Sequence, residues 1–277
     1  MEEKKTVNEE VMKEAHCQRF DPASYLQYNF DPLVKLDGNQ SYLPWVLSCY
    51  HRAFAQGDIN GELLVDIGSG PTLYQVMSGC EVFNKVILTD FLEANRQELR
   101  RWVQDEGSSS LDWTPYLQHV CKLEGRGPSA WTEKAAKLRK AITDILPIDV
   151  LLPQPIAPGA IPSAGADCLV TSYCLEAACP DVATYKKALS NIGTLLQPGG
   201  HLLLLGDLQE SFYYASPEEK LPVLTLNEAQ ICASLKEAGY TLISLEVYTA
   251  GPEERTWSDD STASVFVKAK KNERIKK

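Results

Sequence analysis

The sequence predicts an α/β protein: a doubly wound, Rossmann-like parallel sheet with an antiparallel last strand. Three observations carry this. Short apolar runs that read as buried strands alternate with stretches whose apolar residues recur at helical spacing. The first of these runs, residues 63–67, passes directly into Gly68-Ser69-Gly70-Pro71-Thr72. Such a strand-to-glycine turn lies beyond the carboxyl end of a sheet, where open α/β folds bind ligands. No helical stretch separates the last two strand-like runs, 240–249 and 263–269, so an antiparallel hairpin is expected at one edge.

Taken in order, residues 1–16 are polar and expected to be frayed or loosely helical. Asp21 as N-cap and Pro22 at the first helical position then open a short helix through Phe30. Its rings, Phe20, Tyr25, Tyr28 and Phe30, suit either a cover over the core or a lid facing a cation or flat substrate. Leu43, Val46, Leu47, Tyr50 and Phe54 place a helix over 43–55, and together 17–60 form an N-terminal helical lid region. After strand one, a helix is expected to begin over 72–77, and strand two runs 85–90 to end at Asp90. Residues 91–103 read as helix and 105–115 as loop. The following spans read as strand three (116–123), a helix stopped by Pro147 (133–146) and a short strand (148–152). Four prolines between 153 and 162 make a stiff connector. Strand four spans 166–173, with Glu176 just past its carboxyl end, followed by a helix over 182–196 and strand five over 201–205. Asn227 caps a helix closed by Gly239, and a polar loop over 251–261 carries Trp257, Asp259 and Asp260. The basic tail, 270–277, is expected to be flexible.

The 277 residues are read as one domain (1–277), and 44% hydrophobic and 23% charged residues are ordinary for a soluble globular chain. A net charge of −10 disfavours nucleic acid and anionic membranes and favours small cations. The charged N-terminus lacks a secretory signal pattern, and no run reaches the roughly 20 apolar residues of a membrane span. The eight cysteines are scattered without Cys-x-x-Cys spacing and only four histidines occur, so neither a disulfide framework nor a metal centre is expected. A cytosolic monomer with reduced thiols is the expectation.

The glycine turn narrows the ligand. A dinucleotide fingerprint would place a third glycine where Leu73 stands, and no Gly-Lys-Ser/Thr follows to cradle phosphates. Asp90 lies roughly 20 residues on, at the end of the next strand, where a carboxylate holds ribose hydroxyls. A nucleoside without a pyrophosphate meets both conditions, and S-adenosylmethionine is the leading candidate.

Four motifs go further: Phe20-Asp21-Pro22-x-x-Tyr25-Leu26, the block Asp66-Ile67-Gly68-Ser69-Gly70-Pro71-Thr72-x-Tyr74-Gln75, Thr89-Asp90-Phe91-x-x-x-Asn95, and Leu196-x-Pro198-Gly199-Gly200-His201-Leu202. Together they resemble the family of phenylethanolamine, nicotinamide and indolethylamine N-methyltransferases, from about Phe20 to Ala269. The resemblance implies a class I S-adenosylmethionine-dependent methyltransferase sheet behind an N-terminal lid. It implies cofactor contacts at Tyr25, Phe30, Gly68, Ser69, Tyr74, Asp90, Asn95, Asp149, Val150 and Ser172. Phe30 stands where tyrosine is common.

On the acceptor side, Glu176, Glu210 and Asp259 resemble the acids around the amine and side-chain hydroxyl of a phenylethanolamine, with catalytic roles implied for all three. Asn29, Val46 and Tyr213 fall beside them. Methyl transfer to nitrogen needs a neutral lone pair, so the acids must attract an ammonium and then let it lose a proton. The chain also departs from its phenylethanolamine-specific relatives, with Val46 where they carry lysine and Cys17 where tyrosine is common. The implied substrate is a phenylethanolamine-type amine, as in noradrenaline-to-adrenaline conversion in catecholamine biosynthesis, or an octopamine-like one. A broader arylalkylamine, indolethylamine or nicotinamide acceptor is the alternative, and a non-catalytic S-adenosylmethionine-binding protein a third.

Overall fold

The computed structural model describes residues 9–31, 36, 42–104, 109–249 and 259–273. The expectations for 1–8, for lid-region residues 32–35 and 37–41, for 105–108, for loop residues 251–258 with Trp257, and for the last four tail residues lie outside that set.

A seven-stranded sheet has the order β3-β2-β1-β4-β5-β9-β8. Its strands are β1 (Leu63–Ile67), β2 (Lys85–Asp90), β3 (Ile142–Pro147), β4 (Ala166–Ser172), β5 (Leu196–Leu208), β8 (Tyr240–Tyr248) and β9 (Ala263–Lys271). β6 (Phe212–Tyr214) and β7 (Lys220–Pro222) form a separate small ribbon. β1 through β5 pair in parallel, and β9 runs antiparallel to both β5 and β8. The expected hairpin is therefore present, with its later strand inserted between β5 and β8. The chain reverses its direction of travel across the sheet between β1 and β4, whose carboxyl ends flank the crevice where such folds take ligands.

Every residue of β1 is buried, as expected of a central parallel strand covered on both faces. On one face lie α3 (Tyr42–Ala55), α5 (Thr114–Leu123) and α6 (Trp131–Ala141), with Val46, Tyr50, Tyr116 and Leu138 in the core. On the other lie α8 (Val182–Gly193) and α9 (Glu228–Glu237), through Tyr185, Leu189, Ile231 and Leu235. Asn227 caps α9 with a reciprocal bond to Gln230, as its sequence position suggests. The remaining helices are α1 (Glu9–Arg19), α2 (Pro22–Phe30), α4 (Glu93–Val103) and the short α7 (Leu175–Ala178). Asp21 caps α2 by accepting from the Ser24 backbone N–H.

Four expectations are corrected. Residues 116–123 are helix, not strand: Tyr116, Leu117, Val120 and Cys121 recur at helical spacing and form its buried face, and Pro115 stands at its first turn. The helix expected over 133–146 ends at Ala141, and 142–147 is the edge strand β3, whose terminal Pro147 an edge tolerates. Residues 148–152 are then a turn, in which Asp149 accepts from the Leu151 backbone N–H. No α-helix follows the glycine turn; two single 3₁₀ turns, Tyr74–Val76 and Gly79–Glu81, bridge β1 to β2. Gly79 is a close-approach point there, since a Cβ on it would lie 2.7 Å from Leu64. Other boundaries differ as well: the helix expected over 182–196 ends at Gly193, and strand five, expected over 201–205, is the longer β5 over Leu196–Leu208. Residues 9–16 belong to α1, and Lys270 and Lys271 belong to β9.

Asp167 fastens the start of β1 to β4, accepting from the backbone N–H groups of Glu62 and Leu63 and from Gln197. Asp167→Ala is expected to lower unfolding free energy by about 1–3 kcal/mol, because those donors lose their shared acceptor. Urea titration followed by circular dichroism checks it.

Candidate active site

The crevice begins at the turn after β1. Gly68 and Gly70 have φ of +66° and +58°, a left-handed conformation that glycine adopts without strain. At Gly68 even a Cβ has no room, since it would lie 2.1 Å from Cys174 Sγ. Buried Asp66 accepts from Gln75 Nε2 at 2.8 Å, and that same amide reaches the carbonyls of Ser69 and Thr72. Burial pushes the Asp66 carboxyl up to about 7, and its Oδ1 has no partner. The Ser69 N–H donates to Thr89 O and its carbonyl accepts from Thr72, so Ser69 shapes the bed through bonds to its own fold.

Asp90 closes the next corner. Its Oδ2 accepts from Gly70 N at 2.7 Å and its Oδ1 from Leu92 N and Asn95 Nδ2. The Asn95 Oδ1 is buried without a partner. Beside it, after β3, Asp149 forms an ion pair with Lys13 of α1 at 2.8 Å, and Lys13 also lies over the Phe91 ring. Aromatic rings form the wall: Phe30 stacks on Tyr74 at 5.4 Å, with Tyr25 5.7 Å from Phe30 and 6.2 Å from Tyr213. Ser172 exchanges a 2.6 Å hydrogen bond with Tyr50.

The acids occupy the opposite side. The only non-glycine residues with positive φ are Tyr173 (+54°) and Gln209 (+62°), among the described residues. Each redirects the chain just past a strand, toward Glu176 in α7 and Glu210 respectively. Such conformations cost on the order of 1–3 kcal/mol and gather at functional sites. Glu176 is 7% exposed, and its Oε1 has no hydrogen-bond partner. That oxygen lies 2.8 Å from where a Cβ of Gly206 would stand, so the glycine makes its room. Burial pushes Glu176 up to about 7. Burial, then Asp207 and Asp259, push Glu210 up to about 10. Asp207, Glu210 and Asp259 each bring a carboxylate oxygen within 4.8 Å of the others.

All the residues expected from the sequence line one cavity: Tyr25, Asn29, Phe30, Val46, Gly68, Ser69, Tyr74, Asp90, Asn95, Asp149, Val150, Ser172, Glu176, Glu210, Tyr213 and Asp259. Asn29 is tied to the β6 ribbon through Tyr214 O, and Val46 is a fully buried part of the wall. Cys17 is exposed and does not line the cavity; Met12, Lys13 and His16 of the same helix do. Those three, together with Asp207, Ser264 and Tyr42, are lining residues that no sequence motif singles out. For α1 the helical spacing of Met12 and His16 on one side is an available signal. For Asp207, its place at the end of β5 is.

A model described as the NNMT/PNMT/TEMT family matches residues 8–272. The chain belongs to this family. It is 43% identical over 255 residues to human phenylethanolamine N-methyltransferase, covering 92% of this chain and 89% of that protein. To human nicotinamide N-methyltransferase it is 40% identical over 238 residues, covering 85% and 87%. Among solved structures it resembles magnesium protoporphyrin IX methyltransferase from Synechocystis with bound SAM, at TM-score 0.54 and 11% identity, covering 95% and 97%. That last likeness concerns the fold, a class I S-adenosylmethionine methyltransferase sheet. The protein is an S-adenosylmethionine-dependent N-methyltransferase. The cavity fits this cofactor: a glycine bed closed to any side chain at Gly68, the orphaned buried Asn95 Oδ1 open to a donor, and aromatic faces that suit a sulfonium.

Two outcomes follow. Glu176 and Glu210 have folded values above the ordinary carboxyl value of 4.5, so the native state holds protons that the unfolded state releases. The stability these two carboxyls contribute to the ligand-free protein is therefore full below about 4.5 and falls as pH rises toward about 7 and beyond. Thermal melts from about pH 5 to about pH 8 check this, and Glu210→Gln should flatten the decline. Lys13→Ala opens a partly exposed ion pair, so S-adenosylhomocysteine should dissociate at most about fivefold faster, a difference that shrinks in high salt. Stopped-flow displacement reads it.

Proposed function

We propose that the protein methylates the amino nitrogen of phenylethanolamine-type amines, with noradrenaline and octopamine-like compounds as the acceptor class. One observation carries the reading: the glycine bed and aromatic wall share a single cavity with Glu176, Glu210 and Asp259. Human phenylethanolamine N-methyltransferase is similar over 92% of the chain, which supports the same class.

The residues supply the following chemistry. An arylalkylamine arrives as an ammonium, and a cavity rich in carboxylates within a chain of net charge −10 draws it in. Phe30, Tyr74 and Tyr25 enclose the flat and cationic parts of the ligands. S-adenosylmethionine brings a methyl group made electrophilic by the positive sulfur. Glu176, titrating near 7, is matched to accept the ammonium proton at neutral pH and so frees the nitrogen lone pair. Glu210 ionises against the bound cation and holds it, and Asp259, which accepts from the Ser261 backbone N–H, orients the side-chain hydroxyl. Holding nitrogen and methyl donor in line lowers the barrier by several kcal/mol, on the order of 7 or more when alignment is tight.

The apolar, fully buried Val46 favours a second reading, a broader arylalkylamine or indolethylamine acceptor. A pyridine acceptor such as nicotinamide has no proton to lose before transfer and leaves Glu176 without a task. A non-catalytic cofactor-binding protein likewise has no use for a carboxyl held near neutral pH. We also read the chain as one methyltransferase domain acting as a cytosolic monomer, without nucleic acid. No helix among the described residues is long and apolar enough to cross a membrane.

A labelled-methyl assay over noradrenaline, octopamine, tryptamine and nicotinamide tests the assignment; turnover of tryptamine without noradrenaline would sink the first reading. Glu176→Gln should lower kcat by about a hundredfold or more, with cofactor affinity nearly constant and the activity rise near neutral pH abolished.

A further inference from the structure

The cavity contains one acid that the reaction above does not use. Asp207 lies near the carboxyl end of β5 and lines the same crevice as Glu176, Glu210 and Asp259. Ser264, its register partner on β9, donates its hydroxyl to Asp207 Oδ1. A carboxylate oxygen of Asp207 lies within 4.8 Å of one from Glu210 and one from Asp259. The hydroxyl of a phenylethanolamine would thus meet two aspartates rather than one.

A hydroxyl has a single proton to donate, whereas an ammonium has three. Once ionised against a bound cation, the three acids offer only acceptors, which an ammonium fills from several N–H groups and a lone hydroxyl proton cannot. A second, independent observation points the same way. Glu176 Oε1, in a side chain more than nine-tenths buried, has no partner and lies over Gly206, the residue preceding Asp207. Among the described residues lining the cavity the basic side chains are Lys13, which is paired with Asp149 on the cofactor side, and His16. Neither forms an ion pair with the acid cluster among the described residues.

We propose that Asp207 is a specificity-determining residue, which with Asp259 and Glu210 seats a second ammonium group of the acceptor. The preferred acceptor is then a short diamine, with two basic nitrogens on neighbouring carbons: one is methylated while the other stands where the hydroxyl of a phenylethanolamine would. The spacing agrees, because nitrogens on adjacent carbons sit close enough to share one cluster of oxygens this compact. Burial, then the neighbouring Asp259 and Glu176, hold the Asp207 carboxyl well above its ordinary value in the ligand-free protein, against the Ser264 hydrogen bond. An ammonium held against these oxygens is the ligand that would reverse this. The inference rests on the proposed amine N-methyltransferase reading and puts a second amine in place of its acceptor's hydroxyl.

The test uses a matched pair, phenylethanolamine and phenylethylenediamine, the analogue with an amino group in place of the hydroxyl. Both are assayed for methyl transfer, and their binding is measured by calorimetry in the presence of S-adenosylhomocysteine. The wild-type protein is expected to favour the diamine in kcat/KM, mainly through KM. Asp207→Asn, which keeps shape and the capacity to bond Ser264, should cut that preference by at least about tenfold, in KM rather than kcat. Asp207→Ser serves as a second variant should the first fold poorly. Equal loss for both amines, or no change in their ratio, overturns the proposal, as does a wild-type preference for phenylethanolamine. Loss of the diamine preference on adding EDTA would assign the cluster to a divalent metal and overturn it too. If neither amine is methylated but diamine binding still depends on Asp207, the amine-transfer reading fails while the seat stands. Turnover of phenylethanolamine without a diamine preference does the reverse: the seat is overturned and the amine-transfer reading stands.

Discussion

The site depends on keeping two left-handed glycines in register with a buried carboxylate. Gly68 and Gly70 let the chain leave β1 without a side chain in the crevice, but freedom alone would leave the turn loose. Asp66 fixes it through Gln75, whose amide also gathers the carbonyls of Ser69 and Thr72. The turn is then stitched to β2 by Ser69 and Thr89 and to Asp90 through the Gly70 N–H. Its backbone groups are largely spent on the fold itself. What it offers a ligand is shape, and the remaining open valences lie on Asn95 and the acids across the cavity.

Because the turn consumes its own donors, no phosphate cradle arises. A phosphate site needs several free N–H groups converging, usually at a helix N-terminus. Here a single 3₁₀ turn follows, and Cys174 from the neighbouring β4 segment fills the space against Gly68. The same contact couples the two halves of the crevice. Cys174 lies two residues before Glu176, so the position of the turn and the position of the acid are fixed against each other. Tyr173 and Gln209, held in left-handed conformations, show where the chain is bent to aim those acids.

Much of this is legible in the sequence, and the exceptions have physical causes. Central strands such as 63–67 and 85–90 are continuous apolar runs bounded by turns, which carry their own signature. The edge strand β3 does not: half solvent-facing, following a helix of Lys, Arg and Ala, it reads as more helix. Residues 116–123 mislead through β-favouring Tyr and Val, although their spacing is helical and their burial is one-sided. The expected site residues are readable because they sit in motifs beside strand ends. Lys13, His16 and Asp207 are not, since each reaches the cavity through tertiary placement.

Asp207 illustrates what placement adds. Read along the chain, it is one more acid at the end of an apolar strand, no different from a solvated carboxylate. Only the antiparallel pairing of β5 with β9 brings Ser264 opposite it, and only the left-handed Gln209 swings Glu210 back toward it. Like charges this close do not all remain ionised when buried, so Asp207 and Glu210 keep protons until a cationic ligand displaces them. On the proposed assignment, the affinity of the acid side for its acceptor is thereby tied to the positive charge the acceptor carries. Selection of the acceptor is, on the same assignment, an electrostatic decision made on one side of the cavity, separate from the hydrogen bonds and rings that line the other.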